Sequence, residues 1–383
     1  DPYFVTLAES FERTYGIEFD GIRDGEPATY ADRLVQFKTN VDRLMSVLDS
    51  RDGLGAWIAE RVVNIAGSVA RTPTLRIDAT TNPFLDDRLK VEQLPTAPQG
   101  VVVTNARSGA MVERQISLFA EPGQQKGPRR AVSEIGAWLN YVTDGRFLTM
   151  AADLSNSINI EKANLLGHYD PVENPLGTRL KAAIQEAGNA STIIGMVSQN
   201  ASTDPSNFAG VWGISGTYGA FTPLMYTPAR VFSQMNQDSP FELGVLHVLA
   251  GHSGPETAAD ARTHFGIFAP QVWSLFPKGQ AIRLSFWDYN DVAPGYFAAA
   301  AIAAREAKVS VIVLEVARPD FAVADRSTFA DSDINAAAKG FYLIRDFDPD
   351  KPKHGCVLAQ GTSSTVNLVS VLPELEEAGV NVR

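Results

Sequence analysis

The chain has 383 residues, more than one ordinary domain holds, so its length predicts two or three domains. Hydrophobic residues make up 45% of it and charged residues 20%, the proportions of a globular protein with a packed core. A formal net charge of -11 excludes nucleic acid and anionic membrane as general partners, but leaves room for a phosphate at a local cluster of Arg and His.

The single cysteine, Cys356, rules out an intramolecular disulfide and points to a reducing, cytoplasmic setting. No stretch reads as a signal peptide, and the longest apolar runs, such as residues 309–316, are too short to span a bilayer. Both ends read as interrupted: Asp1 opens in mid-pattern, and Asn381, Val382 and Arg383 stop as a strand begins.

Residues 1–60 read as helical. Within them, residues 31–48 carry apolar side chains at three- and four-residue spacing, one face of a packed helix. Residues 71–100 hold several prolines and little periodicity, which predicts an extended linker ending in a short strand at 101–104. From Lys126 the pattern changes. Residues 129–142 are an amphipathic helix, 147–153 a strand ending in a carboxylate, and 179–195 a helical stretch interrupted near Gly188. Residues 211–223 are aromatic and Gly-rich.

A buried strand over 243–250 follows, then a polar segment, 251–264, with two of the five histidines. Next come a strand at 281–286, a helix at 294–307 and a strand at 309–316. Residues 287–291 should start that helix, with Asp288 or Asn290 as its cap. A charged stretch, 320–353, reads as linker. A strand at 355–361 and a helix at 367–378 then open a further α/β unit, with Cys356 expected as a buried thiol. Nearly continuous apolar strands alternating with helices predict an α/β fold: a mostly parallel sheet flanked by helices. A polar loop after a buried strand is where such folds place chemistry, which singles out 251–264. His252 and His264 alone lack a third ligand at a usual metal spacing, and no GxGxxG or GxxxxGK phosphate loop occurs.

Several separate spacings resemble the transketolase family of thiamine-diphosphate enzymes. Residues 121–330 resemble its pyrimidine-binding domain and 331–383 a linker and the start of its C-terminal domain. Residues 1–120 stand where the tail of a diphosphate-binding domain and a linker fall. The resemblance implies that a carboxylic acid hydrogen-bonds the aminopyrimidine ring of thiamine diphosphate. The family places this Glu nine residues before a Gly, which selects Glu186 before Gly195. A rival register puts Gln199 or Asp204 there; Glu186 is preferred because Gln cannot exchange a proton. Residues 216–221 resemble the family's Thr-aromatic-x-x-aromatic segment, so Phe221 is expected to stack on the pyrimidine ring and Tyr218 to line the pocket. Leu224 stands where the family has a further aromatic. Asp153, Leu154 and Ser157 resemble an Asp-Leu-x-x-Ser motif, with Asp153 and Leu154 beside the cofactor and Ser157 facing a substrate phosphate.

His252, Asp260 and His264 reproduce the family's His, Asp and His at intervals of eight and four residues. They imply phosphate binding by His252, recognition of an acceptor hydroxyl by Asp260, and a hydroxyl or carbonyl contact, with catalytic proton handling, by His264. Arg130, twenty-three residues before Asp153, and Arg318 complete the implied phosphate pocket. The expected activity is transfer of a two-carbon ketol unit between sugar phosphates. The alternatives are an E1-type 2-oxo acid dehydrogenase component and a non-catalytic subunit that keeps the fold. The family's GDG…N segment, which holds Mg2+ and the diphosphate, is absent from these residues. The metal and diphosphate ligands are therefore expected outside this chain, on a diphosphate-binding domain in another chain or a further segment, within a homodimer or heteromer.

Overall fold

The computed structural model describes residues 2–23, 25, 27–70, 81–104, 111–152, 155–200, 202–251, 262–264, 269–306 and 308–383. The chain divides into two units, Asp1–Arg76 and Ile77–Arg383.

The first unit is helical, as the periodicity predicts: α1 (Pro2–Tyr15), α2 (Tyr30–Ser50) and α3 (Leu54–Ala70). Thr29 caps α2 by accepting from the Asp32 N–H at 3.1 Å. Glu12, on α1, takes Arg23 at 2.6 Å and the Phe19 N–H at 2.7 Å, which ties the α1–α2 connection down.

The second unit is built on a five-stranded parallel sheet. In chain order its elements are β1 (Gln99–Thr104), β2 (Met111–Ile116), β3 (Gln125–Lys126), α4 (Pro128–Val142) and β4 (Phe147–Ala151). Then come α5 (Glu186–Val197), β5 (Trp212–Tyr218), α6 (Tyr226–Asp238), β6 (Leu246–Gly251) and β7 (Ala281–Ser285). The series ends with α7 (Tyr289–Arg305), β8 (Val311–Val316), β9 (Phe321–Ala322) and α8 (Thr362–Glu377). The large sheet has the order β4-β5-β6-β8-β7 and every pairing in it is parallel. Parallel strands need crossovers, and the crossovers cover both faces.

Successive residues of each strand therefore enter different cores. Phe147, Leu249, Ile312 and Leu314 face the core shared with α4 and α7, while Leu148, Met150, Val248 and Val313 face the core shared with α5 and α6. Several polar groups in this interior are paired. His247 of β6 is fully buried; its Nδ1 lies 3.2 Å from the Gly213 carbonyl and its Nε2 3.0 Å from the Tyr296 hydroxyl. Asp288 caps α7, the cap expected from the sequence, by accepting from the Asp291 N–H at 3.1 Å. Arg326 is buried and reaches Asp288 at 2.9 Å and Asp291 at 2.5 Å, and the Tyr342 hydroxyl donates to Asp291 at 3.0 Å. These bonds fasten the stretch after β9 to the start of α7.

Four expectations are corrected. Residues 81–95 are not extended linker. They form tight turns at Pro83–Leu85, Asp87–Leu89 and Val91–Gln93 that bury Phe84, Leu89 and Leu94. The Phe84 ring stacks on Trp212 with centroids 4.0 Å apart and planes 7° apart. Three apolar anchors spaced five residues apart match neither helix nor strand period, so they escape a periodicity reading. Second, α5 begins only at Glu186. Residues 178–180 instead run beside β4, with the Thr149 N–H donating to the Thr178 carbonyl at 2.8 Å and the Leu180 N–H to the Thr149 carbonyl at 2.9 Å. Third, β2, with polar alternation in MVERQI, pairs antiparallel with β1 and was not expected. Fourth, residues 355–361 form no strand beyond a single bridge between Gly355 and Val382, and Cys356 is exposed.

Candidate functional site

Parallel strands end together, so the sheet gathers the residues that follow β4, β5, β6 and β8 along one edge. Ser157 follows β4, Tyr218 ends β5, Phe221 lies in the turn Gly219–Met225 after it, His264 lies between β6 and β7, and Arg318 follows β8. Glu186 opens α5, whose crossover leads into β5.

A glycine brings the first two together. A Cβ on Gly216 would meet Ile158 Cδ1 at 2.5 Å, and one on Gly251 would meet Ile158 at 3.1 Å. With no side chain at either position, Ile158 seats fully buried on the strands and its neighbour Ser157 is held over the end of β5. The Ser157 and Tyr218 hydroxyls share a hydrogen bond of 2.8 Å. The Tyr218 ring then stacks on the His264 imidazole, with centroids 4.3 Å apart and planes 12° apart. Phe221 meets both rings edge-on, at 6.4 Å from Tyr218 and 5.7 Å from His264. The structure thus brings together Ser157, Tyr218, Phe221 and His264.

Glu186 is buried at the N-terminus of α5, where the helix dipole favours a carboxylate. The Thr217 hydroxyl donates to its Oε1 at 3.0 Å. The other carboxyl oxygen, Oε2, takes no hydrogen bond among the described residues. The rival positions do other things: Asp204 caps the turn Pro205–Asn207 by accepting from the Ser206 N–H at 2.9 Å, and Gln199 is exposed beyond the end of α5.

The two adjacent arginines at the start of α4 separate in role. Arg130 makes a two-pronged pair with Asp320, at 3.0 and 2.7 Å, and its side chain is half exposed. That contact holds the Asp320 carboxyl below its usual range. Asp320 also accepts from the Gly127 N–H at 2.8 Å; a Cβ at Gly127 would meet the Pro319 carbonyl at 2.7 Å, so only glycine admits this approach. Arg129, not singled out in the sequence, reaches the site instead: its Nη1 donates to the Ser157 carbonyl at 2.6 Å. Burial, then the charges of Arg318 and Arg130, hold its guanidinium below its ordinary range. A cation facing other cations in a half-buried setting is poised to take an anion.

Arg129 and Thr217 are the residues that sequence reasoning missed. The Arg129–Arg130 doublet offered a choice of two that only the turn at Gly127 resolves. Thr217 stands in the quoted aromatic segment, but its partner Glu186 lies 31 residues away. Asp153, Leu154, His252 and Asp260 lie outside the described residues. Among the described residues no group of three or more His, Cys, Asp or Glu side chains stands ready to hold a metal ion, and no helix is long and apolar enough to cross a membrane.

Strand order and covered faces define a parallel α/β domain, with these residues gathered at the strand carboxyl ends. Among solved structures it is similar to the transketolase from Campylobacter jejuni, with a TM-score of 0.51 and 20% identity over 70% of this chain and 36% of that one. It is also similar to the transketolase from Leishmania mexicana, with a TM-score of 0.52 and 14% identity over 99% of this chain and 45% of that one. The fold is therefore transketolase-like, and the chain spans less than half the length of either neighbour. No protein-family profile and no curated protein sequence matches it.

Proposed function

We propose that the chain is the pyrimidine-binding part of a transketolase-type transferase that moves a two-carbon ketol unit between sugar phosphates. The observation that carries this reading is Glu186: a buried carboxyl at the strand-end edge, with one oxygen held by Thr217 and the other left for a ligand. A carboxyl so placed fits the ring nitrogen of an aminopyrimidine, and the half-buried Phe221 offers that ring an aromatic face. When bound, thiamine diphosphate supplies the nucleophilic carbon that carries the two-carbon unit.

This chain's residues hold and orient. Glu186 turns its open oxygen to the ring, and Tyr218 closes the pocket wall. Arg129 and Arg318 offer guanidinium groups to a substrate phosphate beside Ser157, and Arg130 braces Asp320 behind them. His264 presents its imidazole to a substrate hydroxyl from its seat on Tyr218. Asp153, Leu154, His252 and Asp260 are expected to join these groups. The Mg2+ and diphosphate ligands come from a diphosphate-binding domain supplied by another chain or a further segment.

The test combines residues 1–383 with a chain carrying a diphosphate-binding domain, thiamine diphosphate and Mg2+. Xylulose 5-phosphate is offered with ribose 5-phosphate and, separately, pyruvate with a dye acceptor. Turnover of the sugar pair that is abolished by Glu186→Ala supports the proposal. Activity on pyruvate alone selects the 2-oxo acid alternative, and sugar transfer that survives Glu186→Ala shows that another carboxyl serves the ring.

A further inference from the structure

A second cleft opens on the outer edge of β4, away from β5. There the chain at 178–180 pairs with the strand through Thr149 and then parts from it. Continued pairing would bond the Ala151 N–H, which points to the same side as that of Thr149, and the N–H of Ala182. Among the described residues neither bond forms, and the N–H of Lys181 likewise meets no acceptor. The gap widens into a cavity of about 560 Å3.

Its described lining carries two cations and one carboxylate in a protein of net charge -11. Arg179 stands in it, with one arm 3.2 Å from Glu161 and the other 2.5 Å from the buried Ser155 hydroxyl. Lys181 lines it as well and makes no ion pair or hydrogen bond among the described residues. His168 stands at the rim. Among the described lining residues two cations, the anchored Arg179 and the exposed Lys181, face one carboxylate, beside main-chain N–H groups with no described acceptor. A strand edge with free N–H groups next to fixed cations favours a small anion. The described lining has no Phe, Tyr or Trp to stack a base, which favours a compact complementary group.

We propose that this cleft is a second anion site, built for a phosphate dianion. The dianion is either inorganic phosphate or the terminal group of a phosphorylated small molecule. Arg179 and Lys181 flank it, and the N–H groups of Ala151 and Ala182 donate to its oxygens. The cleft adjoins the site proposed above, since Ala183 and Ile184 of its lining lie just before Glu186. Ser155 bonds Arg179 in the cleft and Ser157 bonds Tyr218 in the strand-end site, so the two share one short stretch of chain.

Calorimetry on the full chain tests this, with inorganic phosphate and with ribose 5-phosphate as probes. The variants are Lys181→Glu, Arg179→Gln and Arg129→Gln. The expected result is a saturable event that Arg129→Gln keeps and Lys181→Glu weakens by at least about tenfold, equivalent to ~1.4 kcal/mol. Lys181 is exposed and unpaired, so its variant folds as the parent does. It decides the outcome even if Arg179→Gln loosens the Ser155 and Glu161 contacts. Binding of both probes shows that phosphate alone suffices, and binding of ribose 5-phosphate alone assigns the site to a phosphorylated small molecule. No saturable binding of either probe, equal binding by Lys181→Glu, or loss in Arg129→Gln alone overturns the proposal. The last of these leaves the strand-end phosphate reading standing.

Discussion

Thr217 and Glu186 form the smallest unit on which the proposed chemistry depends. The hydroxyl donates to Oε1 and so fixes Oε2 as the oxygen open to a ligand. Removing the donor leaves the carboxyl free to turn. Thr217→Val is expected to lower kcat of the assembled enzyme about tenfold, the weight of one hydrogen bond to a carboxylate, with KM for the sugars unchanged. Thr217→Ser restores the donor and the rate. Equal rates in all three proteins would remove Thr217 from the mechanism.

Two other buried residues set the pH response in opposite senses. Burial pushes His247 down to about 4 from the usual imidazole value of 6.5. Its folded value is depressed, so the unfolded chain takes the proton first. The stability that follows is full above pH 6.5 and is lost as the pH falls towards 4, by about 3 kcal/mol at 1.36 kcal/mol per unit. Burial, and then the charge of Asp288, push Asp291 up to about 6, against the pull of Arg326 and Tyr342. Its folded value is raised, so its contribution is full below about pH 4 and is lost as the pH climbs through 6. The two trends oppose each other between pH 4 and 6. Asp291→Asn removes one of them, so its urea midpoint should fall more steeply between pH 6.5 and 4.5 than the parent's; a parallel fall would show that Asp291 does not titrate there. None of this was legible in the sequence, because burial acts on His247 and Asp291 through neighbours from other elements.

At the scale of elements, the helices and strands of regular period were readable, and the pieces that position the site were not. The apolar runs gave α4, β4, β6, β7 and β8 to within a few residues, and Asp288 announced the start of α7. The turns over 81–95 were missed because the Phe84, Leu89 and Leu94 spacing has no regular period, and the late start of α5 because the edge pairing of 178–180 competes with the helix. Ser157 likewise depends on contacts no period encodes: Ile158 rests where Gly216 and Gly251 lack side chains. Gly216→Ala puts a methyl 2.5 Å from Ile158 Cδ1, inside van der Waals contact. The expected cost is about 1–3 kcal/mol in denaturant unfolding, because overpacking a close-packed core forces the neighbour to shift. The displaced loop takes the Ser157 hydroxyl away from Tyr218, so tyrosine fluorescence should change with stability. A variant as stable as the parent would show that Ile158 has room to move.

For the whole molecule, the question is how much of a cofactor site one chain holds. In the proposed reading, the strand-end edge offers Glu186 and Phe221 to a pyrimidine and Arg129 and Arg318 to a substrate phosphate. A diphosphate bound with Mg2+ needs more: the metal demands oxygen ligands in near-octahedral geometry, and the diphosphate needs donors of its own. Among the described residues no cluster of three acidic, His or Cys side chains provides this, and the sequence carries no GDG…N segment. The acidic balance of the chain, at -11, opposes a polyanion wherever Arg and Lys are not gathered locally. Residues 1–383 alone are therefore expected to show no saturable heat with thiamine diphosphate and Mg2+ below about 1 mM, a Kd worth ~4 kcal/mol. Adding a chain that carries a diphosphate-binding domain should produce binding that Glu186→Ala weakens. Tight binding by residues 1–383 alone would mean that the diphosphate ligands lie within this chain, and the divided site would have to be abandoned.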